Sequence, residues 1–293
     1  MTHSLTNKKN LERLRSYSSV FSSTAFKKLL RYDDYSFINY NIKKYDHAKI
    51  GTQFENYYEY IRFVYGELRK SYRNEYIFKN TLINELLINK YGINDTIAIN
   101  EFRVGTSIAD TVMFNGTSKA FEIKTELDSS TRLKGQLNDY TKIFKENFIV
   151  THESLVEKYI QEDNSIGIIK IVENPRSLKL EEVRVAKSND TIDANILIRS
   201  LRTEEYKSIV KKYYGALPKM TSFDMFQICS EMIHNIPQEN LNSLFIDQMK
   251  KRKSNMNELS SFPKELRQIG LAMNLDKKNY NNLHLKLTAP IKI

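Results

Sequence analysis

A carboxylate and an ammonium two residues apart on a strand project from the same face and can act on one substrate. Alternation in Ala120–Thr125 puts Ala120, Glu122 and Lys124 on one face and Phe121, Ile123 and Thr125 on the other. Asp110 interrupts the preceding apolar run, between Ile108-Ala109 and Val112-Met113-Phe114. A tight turn at Asn115-Gly116 would pair the two runs and bring Asp110 near Glu122. Two acids on neighbouring strands repel and lose hydration, a cost that a divalent cation or a paired Lys offsets. Asp110, Glu122 and the backbone carbonyl of Ile123 between the motif residues form an all-oxygen set suited to Mg²⁺. Lys124 would then orient or deprotonate an attacking water and stabilise charge on a phosphate. Glu-x-Lys alone is common on strands and reads more readily as an ion pair on a solvent-facing edge strand. The Asp on the preceding strand and the order of the surrounding elements distinguish the two.

Those elements form three regions. Residues 1–70 are aromatic and basic, with helical spacing over Ser16–Leu30 and Phe54–Lys70. Residues 71–188 open with an amphipathic helix, Asn74–Tyr91, stopped by Gly92. Three short strands follow, Ile97–Val104, Ile108–Phe114 and Lys119–Thr125, separated by hairpin turns at Gly105 and Asn115-Gly116. A helix over about Ser130–Glu146, a strand at Phe148–Thr151, a short helix at Leu155–Gln161 and strands at Ile166–Val172 and Glu182–Ala186 complete the region. Early hairpins joined to later crossovers imply an α/β fold with a mixed sheet and helices on both faces. Residues 189–293 are helical again, with candidates at Ala194–Tyr214, Phe223–His234, Glu239–Lys251 and Pro263–Met273.

Asp110, eleven intervening residues and then Glu122-Ile123-Lys124 resemble the D…ExK signature of the PD-(D/E)XK nuclease superfamily, the restriction-endonuclease-like fold. The αβββαβ order from Asn74 to Thr151 is similar to that superfamily's common core, flanked here by N- and C-terminal helical regions. The stretch looks like a bacterial branch of uncharacterised endonuclease-like proteins. The usual Pro before the Asp is Ala109 here. The resemblance implies a catalytic set of Asp110, Glu122, Lys124 and Gln136, the last from the helix after the ExK strand. It adds Glu75 as a further metal ligand beside Asp110, Glu122 and Ile123. Arg132 and Tyr140, at four-residue steps from Gln136, are candidate nucleic-acid contacts.

Charge supports a phosphate-bearing partner. The chain has 293 residues and a formal net charge of +10. Residues 1–50 hold 10 Lys/Arg against 4 Asp/Glu, residues 251–293 hold 9 against 3, and the middle is slightly acidic. Basic ends around a near-neutral centre suit a nucleic-acid backbone. The single cysteine, Cys229, excludes an intramolecular disulfide or a Cys-based zinc site. The five His are scattered, no phosphate-binding glycine motif occurs, and no apolar run reaches membrane-helix length. The expectation is a cytoplasmic Mg²⁺- or Mn²⁺-dependent nuclease without membrane association. DNA is the favoured substrate and defence against foreign DNA the expected role. A homodimer or an activating partner is open. The rival readings are an RNA-processing nuclease of the same fold and a non-catalytic nucleic-acid- or partner-binding module.

Overall fold

The computed structural model describes residues 2–129, 131–174, 177–252 and 255–293. The helices are α1 Thr2–Val20, α2 Ser23–Tyr32, α3 Ser36–Asn41, α4 Tyr57–Ser71, α5 Glu75–Leu82, α6 Leu133–Tyr140 and α7 Val156–Tyr159. They continue with α8 Ala194–Ser200, α9 Thr203–Tyr214, α10 Met225–His234, α11 Gln238–Lys250, α12 Met256–Ser261, α13 Arg267–Ala272 and α14 Lys277–Leu287. The strands are β1 Ile97–Val104, β2 Ser107–Phe114, β3 Ser118–Lys124, β4 Glu146–His152, β5 Gly167–Glu173 and β6 Leu178–Arg184.

Three consecutive regions with boundaries near 70 and 188 are not what forms. The chain makes two compact units, one of Met1–Ile88 with Asn255–Ile293 and the other of Asn89–Ser254. The C-terminal helices divide between them because contacts distant in sequence decide membership. In the helical unit, the Asn80 side chain donates to the Lys264 carbonyl (2.8 Å) and accepts from the Gln268 N–H (3.0 Å). Asn56 bridges to Pro290, and the Tyr57 N–H donates to the Ala289 carbonyl. The buried carboxylate of Asp46 accepts from Tyr17 (2.6 Å), Tyr60 (3.0 Å) and Lys49 (2.9 Å), so its charge is met on several sides.

Two long helical readings split. The expected helix Ser16–Leu30 breaks after Val20, where Ser22 caps α2 by accepting from the Ala25 N–H. Ala194–Tyr214 breaks at Leu201–Arg202, where the Glu205 carboxylate reaches back to the Arg202 N–H (2.8 Å). Of the expected helix Pro263–Met273, residues 263–266 form a turn and only α13 is helical. The helix opening at Asn74 does continue to Tyr91, but its second half, Ile83–Tyr91, is wound as a π-helix.

The sheet unit carries a six-stranded mixed sheet in the order β1-β2-β3-β4-β5-β6. The pairs β1–β2, β2–β3 and β5–β6 are antiparallel, and β3–β4 and β4–β5 are parallel. Parallel neighbours need crossovers: α6 joins β3 to β4, and α7 lies between β4 and β5. One sheet face, with Val112, Phe114, Ala120, Ile149 and Ile168, shares a core with Leu137, Tyr140, Leu197, Val210 and Phe245 from the helices. Phe114 meets Phe245 edge-on at 5.3 Å. Cys229 is buried in the same core, as its apolar helix pattern implies.

Candidate active site

Glu122 lies on the core-facing side of β3, one alternation beyond Ala120, and is 2% exposed. Its two oxygens are held separately. Oε1 accepts from Lys124 Nζ at 2.8 Å, and Oε2 is 2.8 Å from the Tyr140 hydroxyl. Lys124 is buried and also donates to Gln136 Oε1 at 3.2 Å. Gln136 and Tyr140 stand four residues apart on α6 and so face the strand together. Leu133 and Leu137 seat that helix in the core.

The β2–β3 ladder ends at this point. Its last paired residues are Thr111 and Phe121, which places Asp110 opposite Glu122 in the continuing register. Had the ladder continued, the Ile123 N–H would have met the Ala109 carbonyl. It donates instead to Asp110 Oδ2 at 2.8 Å. The Ile123 carbonyl faces the same side of the strand as that N–H. Both carboxylates thus gather where the two strands part.

Backbone strain accompanies this arrangement. Glu101, in β1, has φ of +54° and lies between the pairs Asn100–Thr111 and Phe102–Ala109, hence across from Asp110. A left-handed non-glycine residue inside a strand costs on the order of 1–3 kcal/mol. Here it shifts the alternation. Ile97, Ile99, Phe102 and Val104 all pack on the core, as do Ala109, Val112 and Phe114 opposite. Asp110 is left out of that apolar phase. The sequence signals only that Glu101 is polar; its backbone conformation is set by the register of the pair.

Burial first, and the charge of Asp110 second, push the Glu122 carboxyl above its ordinary range; Lys124 and Tyr140 pull it back. Burial and the neighbouring Glu122 raise the Tyr140 hydroxyl strongly, so it stays protonated and able to donate. It also lies 2.8 Å from the Ile108 carbonyl, which ties α6 to β2.

The sequence-derived residues fall into three groups. Asp110, Glu122, Ile123, Lys124 and Gln136 come together. Tyr140 joins them, but as a fully buried support for Glu122 and not as an outward nucleic-acid contact. Arg132 stands just before α6 in helical register with Gln136 and Tyr140, its carbonyl accepting from the Gln136 N–H at 3.0 Å, and its side chain is exposed. The expected helix Ser130–Glu146 shortens to eight residues, since Ile143 and Phe144 both turn into the core. Glu75 belongs to the helical unit, in the first turn of α5, where it pairs with Lys79. Among the described residues no third Asp, Glu, His or Cys joins Asp110 and Glu122 in a metal-binding group. The residue missed from the sequence is Asp139. It accepts from Thr106 (3.1 Å), Ser107 (2.8 Å) and Lys142 (3.1 Å), fastening α6 to the β1–β2 turn. In the basic run from Lys250, Lys250 pairs with Asp95 and Arg252 with Glu205, while Lys253 lies outside the described residues.

The donor set accords with a hard divalent cation: two carboxylates meet beside a backbone carbonyl, and a cation there would relieve the repulsion that raises Glu122. With only two side-chain ligands, such an ion would retain several waters, as Mg²⁺ does.

The fold and this cluster define an α/β protein with a carboxylate–lysine site at the open end of a strand pair. Residues 69–270 match the family model described as Bacteriophage P4 protein cII, more than two thirds of the chain, and the chain belongs to that family. Protein cII of Enterobacteria phage P4 is 28% identical over 134 residues, covering 44% of this chain and 50% of the relative. The chain thus spans about half the length of that curated relative. Among solved structures, the SPO1766 protein of unknown function from Silicibacter pomeroyi is similar at a TM-score of 0.32 and 11% identity, over 49% of this chain and 94% of that one.

Proposed function

We propose that the chain is a metal-dependent phosphodiesterase that hydrolyses nucleic acid, with a core of the restriction-endonuclease-like kind. The observation that carries this reading is the meeting of Asp110, Glu122, Lys124 and Gln136 at the parting of β2 and β3. The order helix, three-strand meander, α6 and parallel β4 supports the αβββαβ expectation.

Asp110, Glu122 and the Ile123 carbonyl would hold Mg²⁺ or Mn²⁺. The bound ion supplies Lewis-acid stabilisation of phosphoryl charge and a lower pKa for water. The protein's own part is placement. Tyr140 fixes Glu122 Oε2, so the carboxylate cannot swing away when Lys124 is drawn to substrate. Lys124, reaching from the same face, donates to a phosphoryl oxygen. Gln136 keeps its amide oxygen on Lys124 and presents its amino group to the nucleophilic water or the substrate. Arg132, exposed ahead of α6, is available to a flanking phosphate. DNA is the favoured substrate, and a bacterial defence role is proposed with it.

The test is cleavage by purified protein, with supercoiled plasmid, linear duplex, single-stranded DNA and RNA offered in parallel. Cleavage in Mg²⁺ or Mn²⁺ that stops with EDTA and with Lys124→Ala is the expected result. The preferred polymer decides between DNA and RNA. Tight binding without cleavage in any metal would overturn the enzymatic reading in favour of a binding module.

A further inference from the structure

Lys124 Nζ stands 2.8 Å from Glu122 Oε1, and the two side chains are 9% and 3% exposed. A divalent cation held by Asp110 and Glu122 needs an oxygen of Glu122. Oε2 lies 2.8 Å from the Tyr140 hydroxyl, which is also 2.8 Å from the Ile108 carbonyl and is fixed by the burial of its ring. Oε1 is the oxygen that Lys124 holds. An ammonium and a divalent cation on one carboxylate repel each other, and a buried setting screens that repulsion little. One of the two cations must give way.

Lys124 is the group that can move. Its ammonium rides on a flexible four-carbon stem. A second acceptor is already in place, because Gln136 Oε1 is 3.2 Å from Nζ. A buried ammonium leaves one acceptor at less cost where another stands ready. The backbone beneath it is held on both sides. The buried Thr151 hydroxyl donates to the Lys124 carbonyl at 2.8 Å, and Asp128 accepts from the Thr125 N–H at 2.8 Å. The side chain therefore swings while the strand end stays where it is.

We propose that Lys124 and a divalent cation compete for Glu122 Oε1, so that binding of the ion passes the Lys124 ammonium to Gln136 and to an incoming phosphate. The lysine is released for substrate once the ion is bound, and is paired with Glu122 before. The inference rests on the metal-binding part of the proposed function and adds an order of events to it, the ion first and the phosphate contact second. A permanent ion pair that merely braced β3 would make the opposite prediction: without Lys124, the ion would bind no better.

The experiment is calorimetric titration of the full chain with Mn²⁺, with no nucleic acid present. Lys124→Met keeps most of the stem and removes the charge, and should bind Mn²⁺ at least about ten-fold more tightly than wild type. Gln136→Leu removes the receiving acceptor and should bind less tightly than wild type. Equal or weaker binding by Lys124→Met would overturn the proposal. That variant also takes a buried partner from Glu122, so a second measurement uses the wild-type chain. Acylation of Lys124 by an N-hydroxysuccinimide ester is followed by peptide mass spectrometry, with the exposed Lys219 as internal reference. The Lys124 rate should rise at least about three-fold from EDTA to saturating Mn²⁺, as the ammonium leaves a buried ion pair. A rate indifferent to Mn²⁺ would also overturn the proposal. Competition observed without cleavage of any polymer sinks the catalytic reading alone. Metal-dependent cleavage with Mn²⁺ affinity equal in wild type and Lys124→Met sinks this inference alone, and no Mn²⁺ binding by either protein sinks both.

Discussion

The Tyr140 hydroxyl lies 2.8 Å from Glu122 Oε2 and 2.8 Å from the Ile108 carbonyl. It has one proton to share between two acceptors, one charged and one neutral, and both are buried around it. A hydrogen bond to a charged group contributes about 1.5–3 kcal/mol. Tyr140→Phe is therefore expected to lower unfolding free energy by roughly that amount, read from urea denaturation. It should also reduce cleavage, because Glu122 is no longer held. A stability equal to wild type would show that the hydroxyl does not support Glu122.

Asp139 fastens the helix carrying Gln136 and Tyr140 to the β1–β2 turn. Burial alone would raise its pKa, but hydrogen bonds from Ser107, Lys142 and Thr106 outweigh that and hold it below the ordinary value. Gly105, at φ +57°, lets the turn approach, and an added Cβ would stand 3.3 Å from the carboxylate. Asp139→Asn keeps one acceptor oxygen and loses the charge, at an expected cost of about 1–2 kcal/mol. Gly105→Ala adds a left-handed backbone penalty of about 1–2 kcal/mol. Chemical denaturation of both variants checks this, and a neutral Gly105→Ala would contradict the turn geometry.

Acid stability depends on a second carboxylate. Glu205 binds Arg252 through both oxygens at 2.7 Å and accepts from the Arg202 N–H. Burial pushes it up, but the Arg252 hydrogen bonds, the Arg202 N–H and both guanidinium charges prevail and hold it below its ordinary value of 4.5. A depressed carboxylate stabilises the fold above the unfolded-state pKa and loses that contribution as pH falls through the folded-state value. Wild type should therefore lose stability below about pH 4.5 more steeply than Glu205→Gln. Parallel acid limbs in the two proteins would show that Glu205 is not the group that titrates.

Much of the site was legible because it sits on short strands with clear alternation and turn residues. Glycine and asparagine at 105 and 115–116 fixed the hairpins, and their register placed Asp110 opposite Glu122. The depth of β3 was not legible: both of its faces are buried, so the motif is not an edge-strand ion pair. Tyr140 could be placed on a helix face from its spacing, but which neighbour its hydroxyl meets depends on how α6 crosses β2. The helix α14 went unread. Its sequence, Lys-Lys-Asn-Tyr-Asn-Asn-Leu-His-Leu-Lys-Leu, is rich in asparagine and short of apolar residues, and it gains its order from burying Tyr280, Leu283 and Leu287. The division into two units was hidden for a similar reason. It follows from contacts such as Asn80 to Lys264, about 180 residues apart, that no local pattern encodes.

The most direct test of the catalytic account is Asp110→Asn, measured for stability and cleavage in the same preparation. Asparagine still accepts from the Ile123 N–H through its amide oxygen, and it removes the charge that raises Glu122. Metal-dependent cleavage should fall at least a hundred-fold, while unfolding free energy is unchanged or higher. Cleavage retained at the wild-type rate by the folded variant would contradict the account and place the chemistry away from Asp110 and Glu122.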